Sequence, residues 1–304
     1  MMPFIRNEDI DYICYHHEQG AGYGAVAEAR LTKTWGILNP TTGCGGSNCL
    51  TPVLNAWQDS VPLVVISGNV SLPTCSSHLN STLGVELRGF GIQEHNILAN
   101  MGPTTKFADV VEEPDHISDL FIQALAHAKS ARQGPVWLDV PQDIQGTVVS
   151  KNTIERLATL RDDIEEKIAQ LSIPQVIESD FSELTKLLKQ AKRPMVLLGG
   201  GANKIPKVAE KLSHFIKSNE LPIAATYSGT DVVEHSYSGY LGCAGVKGSR
   251  AANFSLQNCD FLLVLGSRLP HAVIGYDVSA FAKNAKIGVV EIDLNGIKKN
   301  THFL

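Results

Sequence analysis

Positive charge is scarce in this 304-residue chain: 26 Lys and Arg stand against 31 Asp and Glu, a formal charge of −5, and no Lys/Arg cluster breaks the pattern. That balance argues against nucleic acid or an anionic membrane surface as a partner. No apolar run reaches the length of a membrane span, and the N-terminus lacks the apolar core of a signal peptide. The six cysteines (Cys14, Cys44, Cys49, Cys75, Cys243, Cys259) contain no Cys-x-x-Cys pair. They read as reduced thiols of a cytoplasmic protein, not as a disulfide frame or a zinc site. His16, His17, His78 and His95 lack the i, i+4 spacing of a metalloprotease helix, so no metal ligands are assigned. No Gly-Lys-Ser/Thr follows any glycine-rich turn, which excludes a P-loop.

What is present is a chain able to build cores: 43% hydrophobic, 19% charged, and long enough for two domains. Short β-branched runs alternate with longer helical stretches, the pattern of parallel sheets built from βαβ units. The expected fold class is α/β, with two doubly wound parallel-sheet domains and flanking helices. In the first half, strands are expected at Asp11–Tyr15, Trp35–Leu38, Leu63–Ser67 and Val136–Val140. Helices are expected at Gln19–Leu31, Ser47–Gln58 and His116–Ser130. In the second half, strands at Met195–Leu198, Ile223–Thr226, Phe261–Leu265 and Ile287–Ile292 alternate with helices from Phe181, Lys204 and Gly248 and a short one near Val278. Between them the chain turns polar, so the expected division is a domain over 1–150, a linker over 151–180 and a domain over 181–304.

Four local patterns carry chemistry. Glu18, in His16-His17-Glu18-Gln19-Gly20-Ala21, stands where a strand runs into a helix whose Ala21, Ala25 and Ala29 share a face beside Gly20 and Gly24. A carboxylate there is placed for burial against something flat, and burial would raise its pKa toward neutrality and let it trade a proton with a ligand nitrogen. The same Glu also suits the dipole of an ordinary helix start. Thr42-Gly43-Cys44-Gly45-Gly46-Ser47-Asn48 follows a strand, so Gly43 and Gly45 would let backbone approach a ligand, with Asn48 as a polar anchor or a capping partner. Gln93 and Lys106 stand in loop segments that face either a substrate or solvent. In the second half, Gly199 and Gly201 (in Gly199-Gly200-Gly201) and Arg268 (in Gly266-Ser267-Arg268) each follow a strand, where such sheets bind nucleotides. Asp293, ending the last strand, is placed for a ribose hydroxyl.

Read together and in order, these strings, with Ala56-Trp57-Gln58-Asp59-Ser60-Val61-Pro62 and Gly134 to Gln145, resemble the thiamine-diphosphate-dependent enzymes of the acetolactate synthase and pyruvate oxidase group. Arg193-Pro194, Ala251-Ala252-Asn253 and the run Asp260 to Arg268 are similar to their central domain. The resemblance implies that Glu18 hydrogen-bonds N1′ of the cofactor's aminopyrimidine and favours its imino tautomer, leading to attack on a 2-keto acid. It places Gly43, Gly45 and Asn48 near the pyrimidine ring and Gln93 and Lys106 near substrate. It also implies FAD in some members, Mg²⁺ held with the diphosphate by a further domain carrying Gly-Asp-Gly, and an active site shared between subunits. No Gly-Asp-Gly occurs in this sequence, and only about ten residues precede the strand leading to Glu18, where the family pattern has a further βα unit. The expectation is therefore a truncated member, inactive alone, completed by a homo-oligomer or a separate diphosphate-binding chain. The rival expectation is a non-catalytic nucleotide (flavin)-binding or oligomerisation module.

Overall fold

Apolar runs covered on both faces become the central strands of two parallel sheets. A computed structural model describes residues 10–171, 178–203 and 206–303, and the chain divides into two units, Met1–Ser172 and Ile173–Leu304.

The first unit holds helix α1 (Glu18–Thr32), strand β1 (Gly36–Leu38), a single helical turn at Cys44–Ser47, helix α2 (Leu50–Asp59), β2 (Leu63–Asn69), β3 (Phe107–Val110), α3 (Ile117–Lys129) and β4 (Val136–Pro141). Its sheet has the order β1-β2-β4-β3, all parallel, with Val64 opposite Val136 in the register. Alternation along β2 and β4 sorts the core. Leu63, Val65 and Trp137 pack with Val26, Ala29, Val53 and Ala56 of α1 and α2. Val64, Val136 and Leu138 pack with Ala124 and Ala128 of α3 on the other face. Each such fully buried aliphatic side chain contributes about 1.5–3 kcal/mol.

Helix α1 begins where His17 Nδ1 accepts from the Gln19 N–H (3.1 Å) and ends at Lys33 in the left-handed region, φ 60°. Its buried face is Gly22, Ala25, Val26 and Ala29, and Ala21 packs against the same core, so the expected alanine face does turn inward. Close approach falls on Gly22, whose absent Cβ would lie 2.4 Å from Pro52 Cγ, while Gly20 and Gly24 lie against the Tyr15 ring.

Three expectations change. Asp11–Tyr15 forms no strand; Tyr12, Ile13 and Tyr15 stay exposed, and no described strand pairs with the outer edge of β1. Helix Ser47–Gln58 is broken: the glycine-rich turn closes at Ser47 and α2 starts only at Leu50. The polar stretch after residue 150 forms α4 (Lys151–Ala158) and α5 (Leu160–Gln170), whose Ile164 packs against Ile122 and Ala126 of α3. An amphipathic stripe hidden in a highly charged sequence explains that packing.

The second unit contains α6 (Glu178–Gln190), β5 (Pro194–Leu198), α7 (Pro206–Ser218), β6 (Ile223–Ala225), β7 (Tyr240–Cys243), α8 (Arg250–Asn258), β8 (Phe261–Leu265), β9 (Lys286–Val290) and α9 (Leu294–Phe303). The parallel order is β7-β6-β5-β8-β9. Met195, Leu197, Leu262 and Val264 face Ala252 and Leu256 of α8. Val196, Leu198 and Ile223 face Ile216 of α7 on the opposite side.

Candidate functional site

The first unit gathers its polar side chains at the carboxyl edge of its sheet, where parallel sheets of this kind bind ligands. The loop after β1 is pinned to β2: Asn39 Nδ2 donates to the Ile66 carbonyl (2.7 Å), and Gly68 N donates to that of Pro40 (3.4 Å). It then turns sharply at Gly43, φ 60° and ψ −120°, a backbone that only glycine adopts without strain. A Cβ on Gly43 would stand 1.9 Å from the Gln93 carbonyl oxygen, so the two segments are in backbone contact. One on Gly45 would stand 2.5 Å from Thr41 Cγ2 and 3.1 Å from Glu18 Oε1.

Glu18 opens α1, and Asn48 Nδ2 donates to its Oε2 at 3.0 Å across thirty residues of sequence. Glu18, Gly43, Gly45 and Asn48 therefore meet in one place, with the backbone of Gln93 beside them. The Glu18 carboxyl is not driven toward neutrality as expected from burial. It is half-exposed, and the Asn48 amide, followed by backbone hydrogen bonding, holds it below its ordinary value. Beneath it the buried Cys49 thiol is pushed up to about 12 by desolvation and then by the Glu18 charge, which leaves it inert as a nucleophile.

This arrangement fits the aminopyrimidine that the resemblance implies. An ionised, accessible carboxylate steadied by one side-chain amide can accept a ring N–H, and Gly45, whose absent Cβ would stand 3.1 Å from Glu18 Oε1, keeps side-chain atoms off that carboxylate. Among the described residues no group of three or more His, Cys, Asp or Glu could hold a metal ion.

The other predicted residues stand elsewhere. Lys106 lies at the amino edge of β3, where its backbone N–H donates to the Pro135 carbonyl (2.8 Å). Its Nζ donates to the His127 and Ser130 carbonyls at the end of α3, and burial lowers its pKa to about 8. It closes that helix end on the far side of the sheet from Glu18. In the second unit, Gly199 and Gly201 are packed backbone to backbone against Gly266: a Cβ on Gly199 would meet the Gly266 oxygen at 2.1 Å. Arg268 is exposed and its carbonyl accepts from Lys299 Nζ. Asp293 Oδ1 accepts from Asn295 N (3.0 Å) at the start of α9.

Beside the glycine loop lies a polar string that sequence reasoning passed over as core. Asp139, 2% exposed in the middle of β4, accepts from Ser67 Oγ (2.5 Å) and Asn69 Nδ2 (2.6 Å). Trp137 Nε1 donates to Ser67 Oγ (2.8 Å), and Thr42 Oγ1 donates to Asn69 Oδ1 (3.0 Å). Desolvation raises Asp139 to about 6 against the lowering effect of its two donors. The available signal was a lone acid inside an apolar strand covered on both faces, which has to be partnered.

Residues 1–87 match the thiamine pyrophosphate enzyme N-terminal TPP binding domain, and residues 181–303 match the central domain of the same enzymes. The chain is 30% identical over 284 residues to the acetolactate synthase isozyme 2 large subunit of Escherichia coli K12, covering 93% of this chain and 47% of that protein. It is 31% identical over 288 residues to the isozyme 1 large subunit of the same organism, covering 95% and 47% respectively. A probable acetolactate synthase large subunit of Methanocaldococcus jannaschii is 29% identical, with 99% of this chain and 48% of that protein covered. The chain thus spans about half the length of the curated relatives it matches. With a carboxylate, a glycine floor and an amide gathered at the edge of its first sheet, the chain belongs to the thiamine pyrophosphate (thiamine diphosphate) enzyme family, and over nearly its whole length it is similar to acetolactate synthase large subunits.

Proposed function

We propose that the Glu18 cluster is the aminopyrimidine-binding half of a thiamine diphosphate site serving an acetolactate synthase-like reaction, decarboxylation of a 2-keto acid followed by carboligation. The observation that carries the reading is the Glu18–Asn48 contact over the glycine floor. In this reading Glu18 holds or accepts the proton at the pyrimidine nitrogen, Asn48 keeps the carboxylate aimed, Gly45 keeps side-chain atoms off it, and Gly43 lets the loop pass against the Gln93 backbone. When bound, the cofactor supplies the carbanion chemistry, and the protein supplies position and electrostatics. In this reading the cluster holds the pyrimidine alone, and the diphosphate with its Mg²⁺ is held by residues outside it.

Calorimetric titration with thiamine and with thiamine diphosphate, each with and without Mg²⁺, tests this. A half-site that reads only the pyrimidine binds both ligands alike and without Mg²⁺. Glu18→Gln weakens both about tenfold or more, the loss of one charge-assisted hydrogen bond of about 1.5–3 kcal/mol. Equal affinity of wild type and variant overturns the role of Glu18; tight binding that requires both diphosphate and Mg²⁺ overturns the half-site. A flavin in the second unit is the lesser proposal, resting on Arg268, exposed beside the Gly266 turn. A flavin absorbance band in the purified protein supports it, and colourless protein refutes it.

A further inference from the structure

We propose that Asp139 is a positioning residue for the Glu18 site: it is the buried anion that orients Asn69, and through Asn69 and Thr42 it fixes the loop carrying Gly43, Gly45 and Asn48. The inference rests on the half-site reading for its functional meaning, but the loop's geometry is tested separately from it.

An ionised carboxylate can only accept hydrogen bonds. Asn69 must therefore turn its nitrogen toward Asp139 Oδ2 (2.6 Å), which leaves its oxygen facing the other way. That oxygen accepts twice, from the Val70 backbone N–H (2.9 Å) and from Thr42 Oγ1 (3.0 Å). Thr42 in turn accepts the Gly45 N–H on its carbonyl (3.2 Å), and Gly45 is the residue whose Cα faces Glu18 Oε1. The string thus runs from a carboxylate in the middle of β4, through the end of β2, to the floor of the site. On its other oxygen Asp139 is held by Ser67, itself fixed by the buried Trp137 indole, so the anion has no freedom to follow the loop. Each link is directional, and its polarity is set from the Asp139 end. A buried string of this kind orders what hangs from it only while every member is satisfied.

Asp139→Asn breaks the polarity without changing size. If the introduced amide turns its oxygen to Ser67, its nitrogen meets that of Asn69; if it turns its nitrogen to Ser67, the buried Ser67 hydroxyl proton loses the acceptor that Asp139 gave it. If Asn69 flips instead, its nitrogen meets the Val70 N–H. The double exchange Asn69→Asp with Asp139→Asn restores every bond: the amide now on β4 donates to the carboxylate now on β2, whose other oxygen takes Thr42 and Val70.

The test is hydrogen–deuterium exchange of the segment 41–49 in the full chain near neutral pH, with thermal midpoints recorded alongside. Asp139→Asn is expected to speed exchange of that segment about tenfold, and the double exchange to return it to within about threefold of wild type. Unchanged protection in Asp139→Asn overturns the proposal, as does a folded double variant whose loop exchanges as fast as the single one. If the single variant fails to fold, the double variant, which keeps charge and bond count, still decides. Thiamine binding by the same proteins separates the two readings. A wild type that binds no thiamine refutes the half-site while the exchange data stand. If it binds, the affinity lost in Asp139→Asn is expected to return in the double variant.

Discussion

Replacing Asp139 by Asn should change how stability depends on pH, by an amount that follows from its burial. The folded protein holds the Asp139 proton to about 6, against 3.8 for the unfolded chain, because desolvation outweighs the donors Ser67 and Asn69. Between those values the native state binds more protons than the unfolded one, so stability falls as pH rises. Asp139's favourable contribution is thus complete below the unfolded value and is lost through the folded one. A shift of about 2 units at 1.36 kcal/mol each amounts to about 3 kcal/mol over the full range, of which roughly 1.3 kcal/mol falls between about pH 5 and about pH 7. The amide that replaces it cannot titrate. The variant also loses the ordered string, but that cost is a constant offset; the titration shows only in the slope. Burial first, and then the charges of Asp139, Glu94 and Asp143, push the Cys75 thiol up to about 12, far above this window, so it does not add to the slope. Urea unfolding of both proteins at several pH values measures it: the stability of Asp139→Asn relative to wild type should rise by about 1.3 kcal/mol across that window. A difference that stays flat would mean that Asp139 ionises at its ordinary value, and the burial argument would fail.

Gly43→Ala should cost about 3 kcal/mol or more, since its backbone is barred to other residues and the new Cβ would collide with the Gln93 carbonyl at 1.9 Å. Gly84→Ala is the control: it shares a positive φ, 66°, but faces open space, so it should cost only about 1–2 kcal/mol. Equal thermal shifts for the two would show that backbone strain alone, and not contact with Gln93, fixes Gly43. Lys106→Met should destabilise by about 1–3 kcal/mol by leaving the His127 and Ser130 carbonyls unpaired, while thiamine affinity stays unchanged. Lowered affinity at constant stability would put Lys106 back in the site. Because folded Lys106 releases its proton near 8 and the unfolded side chain near 10.5, its contribution should grow as pH rises between those values.

How much of this was legible follows from where each residue sits. β2 and β4 were readable because strands covered on both faces must be apolar throughout, and Leu63–Val65 and Val136–Leu138 are. The edge strands β3 and β7 were not, since Phe107–Val110 and Tyr240–Cys243 are only partly covered and carry no such run. Glu18 was legible as a candidate, but its charge state was not: the Asn48 amide that keeps it ionised stands thirty residues away and belongs to a different element. Gly199 and Gly201 were ambiguous for the converse reason. Glycine at a strand end serves a ligand's approach and a neighbouring strand's approach equally well, and here Gly266 takes the space.

The two aspartates beside long apolar strands show what decides such cases. Asp260 comes immediately before β8, where the Lys192 and Arg193 backbone N–H groups reach its carboxylate at 2.9 and 2.8 Å and, against a desolvation that opposes them, hold its pKa below the ordinary value. Asp139 stands three residues inside β4, where neighbouring backbone groups are already spent on the ladder, its own carbonyl accepting Val111 N at 2.9 Å. Only side chains can satisfy it there, and they must come from the neighbouring strand. An acid at a strand's mouth is therefore a cap that ties two loops together. The same residue four positions further in compels a polar string across the sheet, and the string must end at whatever loop lies over the strand's carboxyl end. In this chain that loop is the one bearing Gly43, Gly45 and Asn48, so Asp139 is tied to Glu18 by the depth at which it sits in its strand.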